Sequence, residues 1–208
     1  MQKRAIVIVV YFLIIATATL APCAEDAHAK KTRSFEIVLG GALTTGGDKL
    51  AKYRTYIYTQ GVPGYTEGSA SVTAGGRAHI YLGAAFRIKK TPLRLQLTLG
   101  WLVDRTADVD DLDSKFSRHP LEGSLFYQRD KLRLGAGLTY HMNPTFDEDF
   151  DNLTFEFDNA LGYFGEIGYV WNQSFCVSGR ITKIEYGFGD SPVKIDGESL
   201  GLYLTFLI

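Results

Sequence analysis

The sequence predicts an all-β fold, an eight-stranded antiparallel up-and-down barrel of the transmembrane kind. Three observations carry that expectation. Apolar and polar residues alternate with period two in eight separate runs, the mark of strands with unlike faces. Short turns and long polar loops alternate between those runs. The polar stripe is rich in glycine, while the apolar stripe collects its aromatics at both ends.

Composition narrows the field before any element is placed. The 208 residues suffice for one domain, or for two small ones. Hydrophobic residues make up 46% and aromatics 13%, with only 6 Pro, which excludes a disordered chain. The net charge of -1 offers no basic surplus for holding phosphates, so no nucleic-acid partner is expected. Two cysteines are too few for a disulfide-stapled scaffold.

The N-terminus has the three-part layout of a secretory signal peptide, assigned to residues 1–29. Lys3 and Arg4 precede an uncharged, mostly apolar run over Ala5–Leu20, and Ala27-His28-Ala29 forms an A-x-A cleavage site. An uncleaved anchor would need about 18 or more apolar residues. A lipoprotein signal ending at Cys23 would want a small residue where Pro22 stands. Cleavage removes two bases and two acids, so residues 30–208, the barrel domain, keep the charge of -1. Cys176 is then the lone cysteine, a small buried residue by expectation.

The runs follow in order. Phe35, Ile37, Leu39 and Leu43 alternate with Glu36, Gly40, Ala42 and Thr44. The second run extends from Val72 and Ala74 through Ile80, Leu82, Ala84 and Phe86, against Arg77, His79, Tyr81 and Arg87. The third is the cleanest, with Leu93, Leu95, Leu97, Leu99, Trp101 and Val103 opposite Arg94, Gln96, Thr98 and Gly100. Leu121, Leu125 and Tyr127 face away from Glu122, Ser124 and Gln128. Leu132, Leu134, Ala136, Leu138 and Tyr140 oppose Arg133, Gly135, Gly137, Thr139 and His141. The sixth is read as one strand from Phe155 to Trp171, with Glu166 on its polar side. Phe175, Val177 and Ile181 form the seventh against Cys176, Ser178 and Arg180, and Leu200 to Ile208 form the last. The long connectors are Gly46–Ala70, Asp104–Arg118, Asn143–Asn152 and Gly187–Asp196.

Facing is decided by three features. A soluble barrel buries its apolar stripe, whereas a membrane barrel turns it to lipid. Gly40, Gly83, Gly100, Gly135, Gly137, Gly162, Gly168 and Gly201 all fall on the polar stripe, where a narrow lumen needs small residues. Phe35, Phe86, Tyr127, Tyr169, Trp171, Phe175 and Phe206 border the short turns, while Trp101, Tyr140, Phe155, Phe157, Tyr186 and Phe188 border the long loops. Two such girdles about an aliphatic band match the two interfaces of a bilayer. Finally, Ser199, Gly201, Leu204 and Phe206 fit a polar-x-Gly-x-x-apolar-x-apolar pattern, though Leu207 and Ile208 follow the aromatic.

That pattern resembles the C-terminal assembly signal of Gram-negative outer-membrane barrels. From Phe35 to Ile208 the chain resembles their small eight-stranded members, of the OmpA-transmembrane and OmpX type. The resemblance implies chaperoned transit through the periplasm and insertion by the outer-membrane assembly machinery; outer-membrane lipid and lipopolysaccharide are the expected partners of a monomer. It implies no substrate.

Candidate chemistry lies in the lumen. Glu122, Arg133, Glu166 and Arg180 occupy successive strands with alternating sign, and Glu36, Arg87 and Arg94 extend the set towards the short-turn end. A charge in a narrow interior is costly unless paired, so an interior charge network is expected. Glu166 is placed at its centre, shared between Arg133 and Arg180. The network acts either as a plug or as a gate for small ions, and an eight-stranded interior is just wide enough to be filled by side chains. The acids of Asp104–Arg118 and Asn143–Asn152 lack the order of a dedicated calcium loop and read as solvated faces. Tyr53, Tyr56, Tyr58 and Tyr65 suit either surface binding or a loop that caps its own barrel. His141 has no Ser beside it, and His79 and His119 have no metal-ligand spacing, so no catalytic residue, metal or cofactor is assigned.

The functional expectation is an outer-membrane barrel with a largely closed polar lumen, structural or surface-interacting through its loops and not an enzyme. A narrow channel is the second reading, and an outer-leaflet lipid-modifying enzyme the third. Facing is open to direct test at Leu97. Leu97→Arg on a lipid face at mid-bilayer costs about 2–4 kcal/mol, so vesicle insertion followed by urea unfolding should show a large loss. Insertion at wild-type efficiency would reverse the facing of the third run.

Overall fold

The computed structural model describes residues 34–57, 66–106, 114–148, 153–172, 174–189 and 191–208. The signal assigned to residues 1–29 and its Cys23 lie outside the described residues. So do Asp108, Asp110, Asp111, Asp113, Asp149, Asp151, Tyr58, Tyr65 and the side chains of Tyr53 and Tyr56.

Eight long strands form the barrel: β1 (Phe35–Thr45), β4 (Ala78–Arg87), β5 (Leu93–Arg105), β6 (Ser114–Arg129), β7 (Leu132–Glu148), β9 (Ala160–Asn172), β10 (Phe175–Lys183) and β13 (Ser199–Leu207). Each pairs antiparallel with its neighbours, and pairing of β13 with β1 and of β6 with β7 closes the sheet. Two hairpins stand apart, β2 (Lys49–Ile57) with β3 (Thr66–Thr73) and β11 (Glu185–Tyr186) with β12 (Ile195–Asp196). The short β8 (Leu153–Glu156) extends β7.

Ladder geometry sets the bore. From Gly40 the ladder passes through Tyr81, Gly100 and Pro120 to His141, and in the other direction through Thr205, Cys176 and Val170 to Lys131, a stagger of ten residues on β7. With ordinary strand spacing and rise, eight strands at that stagger tilt by about 40° on a backbone cylinder of about 8 Å radius. One layer of side chains from each wall fills such a bore.

Side chains alternate as the eight runs predict. Leu97 and Ile167 remain 48% and 59% exposed, in an apolar belt that includes Leu39, Leu82, Leu125, Leu134, Ile181 and Leu202. Glu122, Arg133, Glu166 and Arg180 are buried inside. Interior glycines make room for large neighbours: a Cβ on Gly40 would meet the Tyr81 ring, one on Gly135 the Phe126 ring, and one on Gly137 the tip of Phe164.

The long connectors differ from expectation. Gly46–Ala70 contains most of the β2–β3 hairpin, and the base of that hairpin turns Val72 and Ala74 into a buried cluster instead of onto the lipid face. Strands β5, β6 and β7 continue past the belt into the regions read as loops, with Asp104 opposite Phe116 and Arg105 opposite Lys115. Beyond the apolar belt both faces of a strand meet polar groups or loops, so hydropathy loses its period while the ladder continues. The sixth run is two strands, β8 and β9, separated at 157–159.

Substitution of two glycines separates the crowded inner face from the open outer one. An alanine at Gly83 would place its Cβ against the Leu97 carbonyl and Thr98 Cα, whereas nothing lies within 4 Å of the corresponding position at Gly165. Gly83→Ala is expected to destabilise by about 1–3 kcal/mol, and Gly165→Ala to stay within about 0.5 kcal/mol. Urea unfolding in vesicles compares them; equal midpoints would contradict the packed interior.

Candidate functional site

Arg180 is the centre of the lumen. β10 turns it inward directly opposite Glu166 on β9. Its Nε and Nη2 donate to Glu166 Oε2 at 2.9 and 2.8 Å. Its Nη1 reaches across the bore to β6, donating to Glu122 Oε1 at 2.9 Å and Oε2 at 2.8 Å. The guanidinium is also held between aromatic faces, with Cζ 3.9 Å from the Phe164 centroid and 4.0 Å from that of Tyr203. A planar five-donor fork can satisfy two carboxylates and two rings together, which an ammonium could not. Thr98 Oγ1 donates to Glu122 Oε2 at 3.4 Å.

This arrangement inverts the one expected. One guanidinium serves two carboxylates, where the sequence suggested one carboxylate between two guanidinium groups. The register explains the change: Arg133 lies opposite Gly168, and Glu166 opposite Gly135. Arg133 instead donates through Nη2 to Gln96 Oε1 at 2.9 Å and stacks on Phe126 at 3.5 Å. Nearer the short turns, Arg94 Nη1 lies 2.8 Å from Glu36 Oε2, and Arg87 Nη2 lies 3.7 Å from Glu36 Oε1. The seven residues thus fall into two ion-pair groups, with Arg133 held between them by an amide and a ring. On β13, Ser199 and Gly201 face the lumen, and Leu204 and Phe206 lie on the outer side.

A further layer closes the loop end, and sequence reasoning missed most of it. Arg118 is buried, donates through Nη2 to the Ala74 carbonyl at 2.6 Å, and lies 4.5 Å from the Phe116 centroid. Asp104, counted among the solvated acids, is fully buried. It accepts from Thr73 N and Thr73 Oγ1 at 2.7 Å each and pairs with Arg77 Nε at 3.1 Å. These contacts fasten the β2–β3 hairpin over the bore, where Val72, Phe116, Phe146, Ile184 and Tyr186 form an apolar cluster. Tyr186 does not join the upper aromatic girdle that its place beside a long loop predicts. It is buried instead, with its hydroxyl 2.6 Å from His141 Nδ1, and burial pushes its phenol above the usual range so that it keeps its proton.

Parity could have found several of these groups. Phe126 and Phe164 share the phase of Glu122 and Glu166, and Tyr186 that of Arg180. An aromatic on the polar stripe reads as noise until the glycine beneath it is noticed. Between Arg180 and the apolar cluster lies a small cavity lined by Gly75, His79, Arg118, Glu122, His141 and Tyr203, with room for about one water molecule. Among the described residues no group of three or more His, Cys, Asp or Glu side chains is arranged to hold a metal ion.

No protein-family model and no curated protein sequence matches the chain. Solved structures of similar fold include Neisserial surface protein A, at TM-score 0.46 and 11% identity over 85% of this chain and 97% of that one. Another is Ail, the attachment invasion locus protein of Yersinia pestis, in complex with the heparin analogue sucrose octasulfate, at 0.44 and 9% over 84% and 97%. A third is the KdgM porin, at 0.29 and 10% over 82% and 98%.

Removal of the shared cation should cost more than removal of either partner. Arg180→Met leaves Glu122 and Glu166 buried and unpaired, and breaking a buried pair costs about 3–5 kcal/mol. Glu166→Gln leaves the two-oxygen contact with Glu122 in place and should cost less. The exposed Asp158→Asn should stay within about 0.5 kcal/mol. Urea midpoints in vesicles rank the three, and a Glu166 variant weaker than the Arg180 variant would restore Glu166 as the centre.

Proposed function

We propose that this chain is an outer-membrane β-barrel of a Gram-negative bacterium, with a lumen closed to solutes, acting as a structural or surface-interacting component through its loop end. The observation that carries the proposal is the pairing of a continuous exposed apolar belt with an interior filled at several heights. A soluble barrel of this size would have no use for Leu97, Ile167 and Leu202 on its outside. The Arg180 strut, the Arg118 layer and the apolar cluster at the loop end support a lumen closed to ions. The loop end is then the surface suited to contacts with lipopolysaccharide or with a protein.

In this reading residues 1–29 direct export, and Ser199, Gly201, Leu204 and Phe206 address the assembly machinery. No catalytic role is assigned to His141, which serves as the hydrogen-bond partner of Tyr186.

A closed sheet has no edge from which to unzip and should resist detergent at room temperature. Unboiled protein is therefore expected to migrate differently from boiled protein on a detergent gel. In planar bilayers the heat-modifiable form should give no current steps. Identical gel mobility of membrane-inserted protein would remove the barrel reading, and regular steps from wild type would favour a channel.

A further inference from the structure

The rim at the short turns carries a cluster of four exposed cations. Lys89 and Lys90 lie on the β4–β5 turn, and Arg129 and Lys131 flank Asp130 on the β6–β7 turn. These turns are neighbours, since Gln128 N donates to the Pro92 carbonyl at 2.8 Å. All four cations are exposed, and none joins an ion pair among the described residues. At the loop end Lys49 and Lys52 are likewise exposed without an ion pair among the described residues, but three other lysines have carboxylate partners. There Lys183 meets Glu198 at 3.2 Å, Lys194 meets Glu185 at 3.1 Å and Lys115 meets Asp147 at 3.6 Å.

The depth of the cluster is marked by aromatics. Lys131 Nζ lies 5.6 Å from the centroid of the lipid-facing Tyr169 ring, and Tyr127 ends the neighbouring strand opposite Leu93. The cations therefore border the aromatic girdle, at the height where lipid headgroups lie. On the next turn of the rim, β9–β10, the described residues carry no charge, and Tyr169, Trp171, Phe175 and Phe206 face outward there. The four charges are gathered on two adjacent turns, while outward aromatics, Phe35, Phe86 and Tyr127 among them, border the charged turns as well.

We propose that Lys89, Lys90, Arg129 and Lys131 form a docking surface for the phosphate groups of anionic phospholipid in the leaflet that faces the short turns. The proposal rests on the membrane reading above. Exposed cations without carboxylate partners lose no ion pair on meeting a phosphate, and each basic group near an anionic surface adds about 1 kcal/mol, or roughly fivefold in affinity.

The test uses the full-length mature protein, folded in a zwitterionic detergent and confirmed as heat-modifiable. Native mass spectrometry then measures retention of phosphatidylglycerol against phosphatidylcholine of the same acyl chains. Wild type should prefer the anionic lipid. Joint replacement of the four cations by Gln should reduce that preference by about tenfold or more. Lys183→Gln with Lys194→Gln at the loop end should leave it unchanged. If the fourfold variant does not fold, the pairs Lys89→Gln with Lys90→Gln and Arg129→Gln with Lys131→Gln carry the test separately, each with a partial loss expected. Absence of a preference in folded wild type, its survival in the rim variants, or its loss in the loop-end variant would overturn the proposal. Displacement of the lipid by millimolar inorganic phosphate would overturn it too, since the surface would then be a phosphate site. Failure of the membrane reading is separately visible, as a wild-type chain that inserts into vesicles of neither lipid.

Discussion

The bore of the closed sheet is the constraint on which the rest depends. Eight strands staggered by ten residues hold the backbone at about 8 Å from the axis, and every inward side chain must then fit with those from the opposite wall. Glycine alternates with large residues inside for that reason. Gly40 lies under Tyr81, Gly135 under Phe126 and Gly137 under Phe164. The rings so accommodated become the surfaces on which Arg133 and Arg180 stack.

Electrostatics follows from the same confinement. A charge turned into a narrow lumen is costly unless it is compensated there. Arg180 collects two carboxylates and two rings, while Arg133 is held by an amide and one ring. With a carboxylate in excess near Arg180 and cations in excess at Arg118 and Arg133, opposite charges compensate along the axis as well as across it. The lumen is thereby a load-carrying part of the fold, bracing β10 against β6 on the far wall.

Above the belt the constraint changes. Water can reach the sheet from outside, so the strands no longer need alternating hydropathy, yet the bore remains to be closed. The base of the β2–β3 hairpin closes it through Asp104, Arg118 and an apolar cluster. Asp48 joins this hairpin to β12, accepting from Asp196 N at 2.9 Å. The described part of the loop end is consequently a packed layer, whereas Lys89, Lys90, Arg129 and Lys131 at the short-turn rim join no ion pair among the described residues.

Where one face belongs to the outward apolar belt and the other to the polar lumen, strand identity was legible residue by residue. Leu93 to Val103 could be assigned outward and Arg94 to Gly100 inward, because a period of two is imposed by the two solvents. The interior membership of Glu36, Arg94, Glu122, Arg133, Glu166 and Arg180 followed from the same phase. Pairing among them was a tertiary decision. The register sets Arg180 beside Glu166 and moves Arg133 away, and the diameter allows Glu122 to reach Arg180 from the opposite wall. The extensions of β5, β6 and β7, the burial of Asp104 and Tyr186, and the hairpin over the mouth were equally illegible. Their residues meet polar groups or loop-derived side chains that no local hydropathy pattern records. The sequence by itself determined the strands and their two faces, since each depends on neighbours two residues away. Only the tertiary structure decided which charges meet and what closes the barrel, because those contacts join strands far apart in the chain across a bore whose width the closed sheet alone defines.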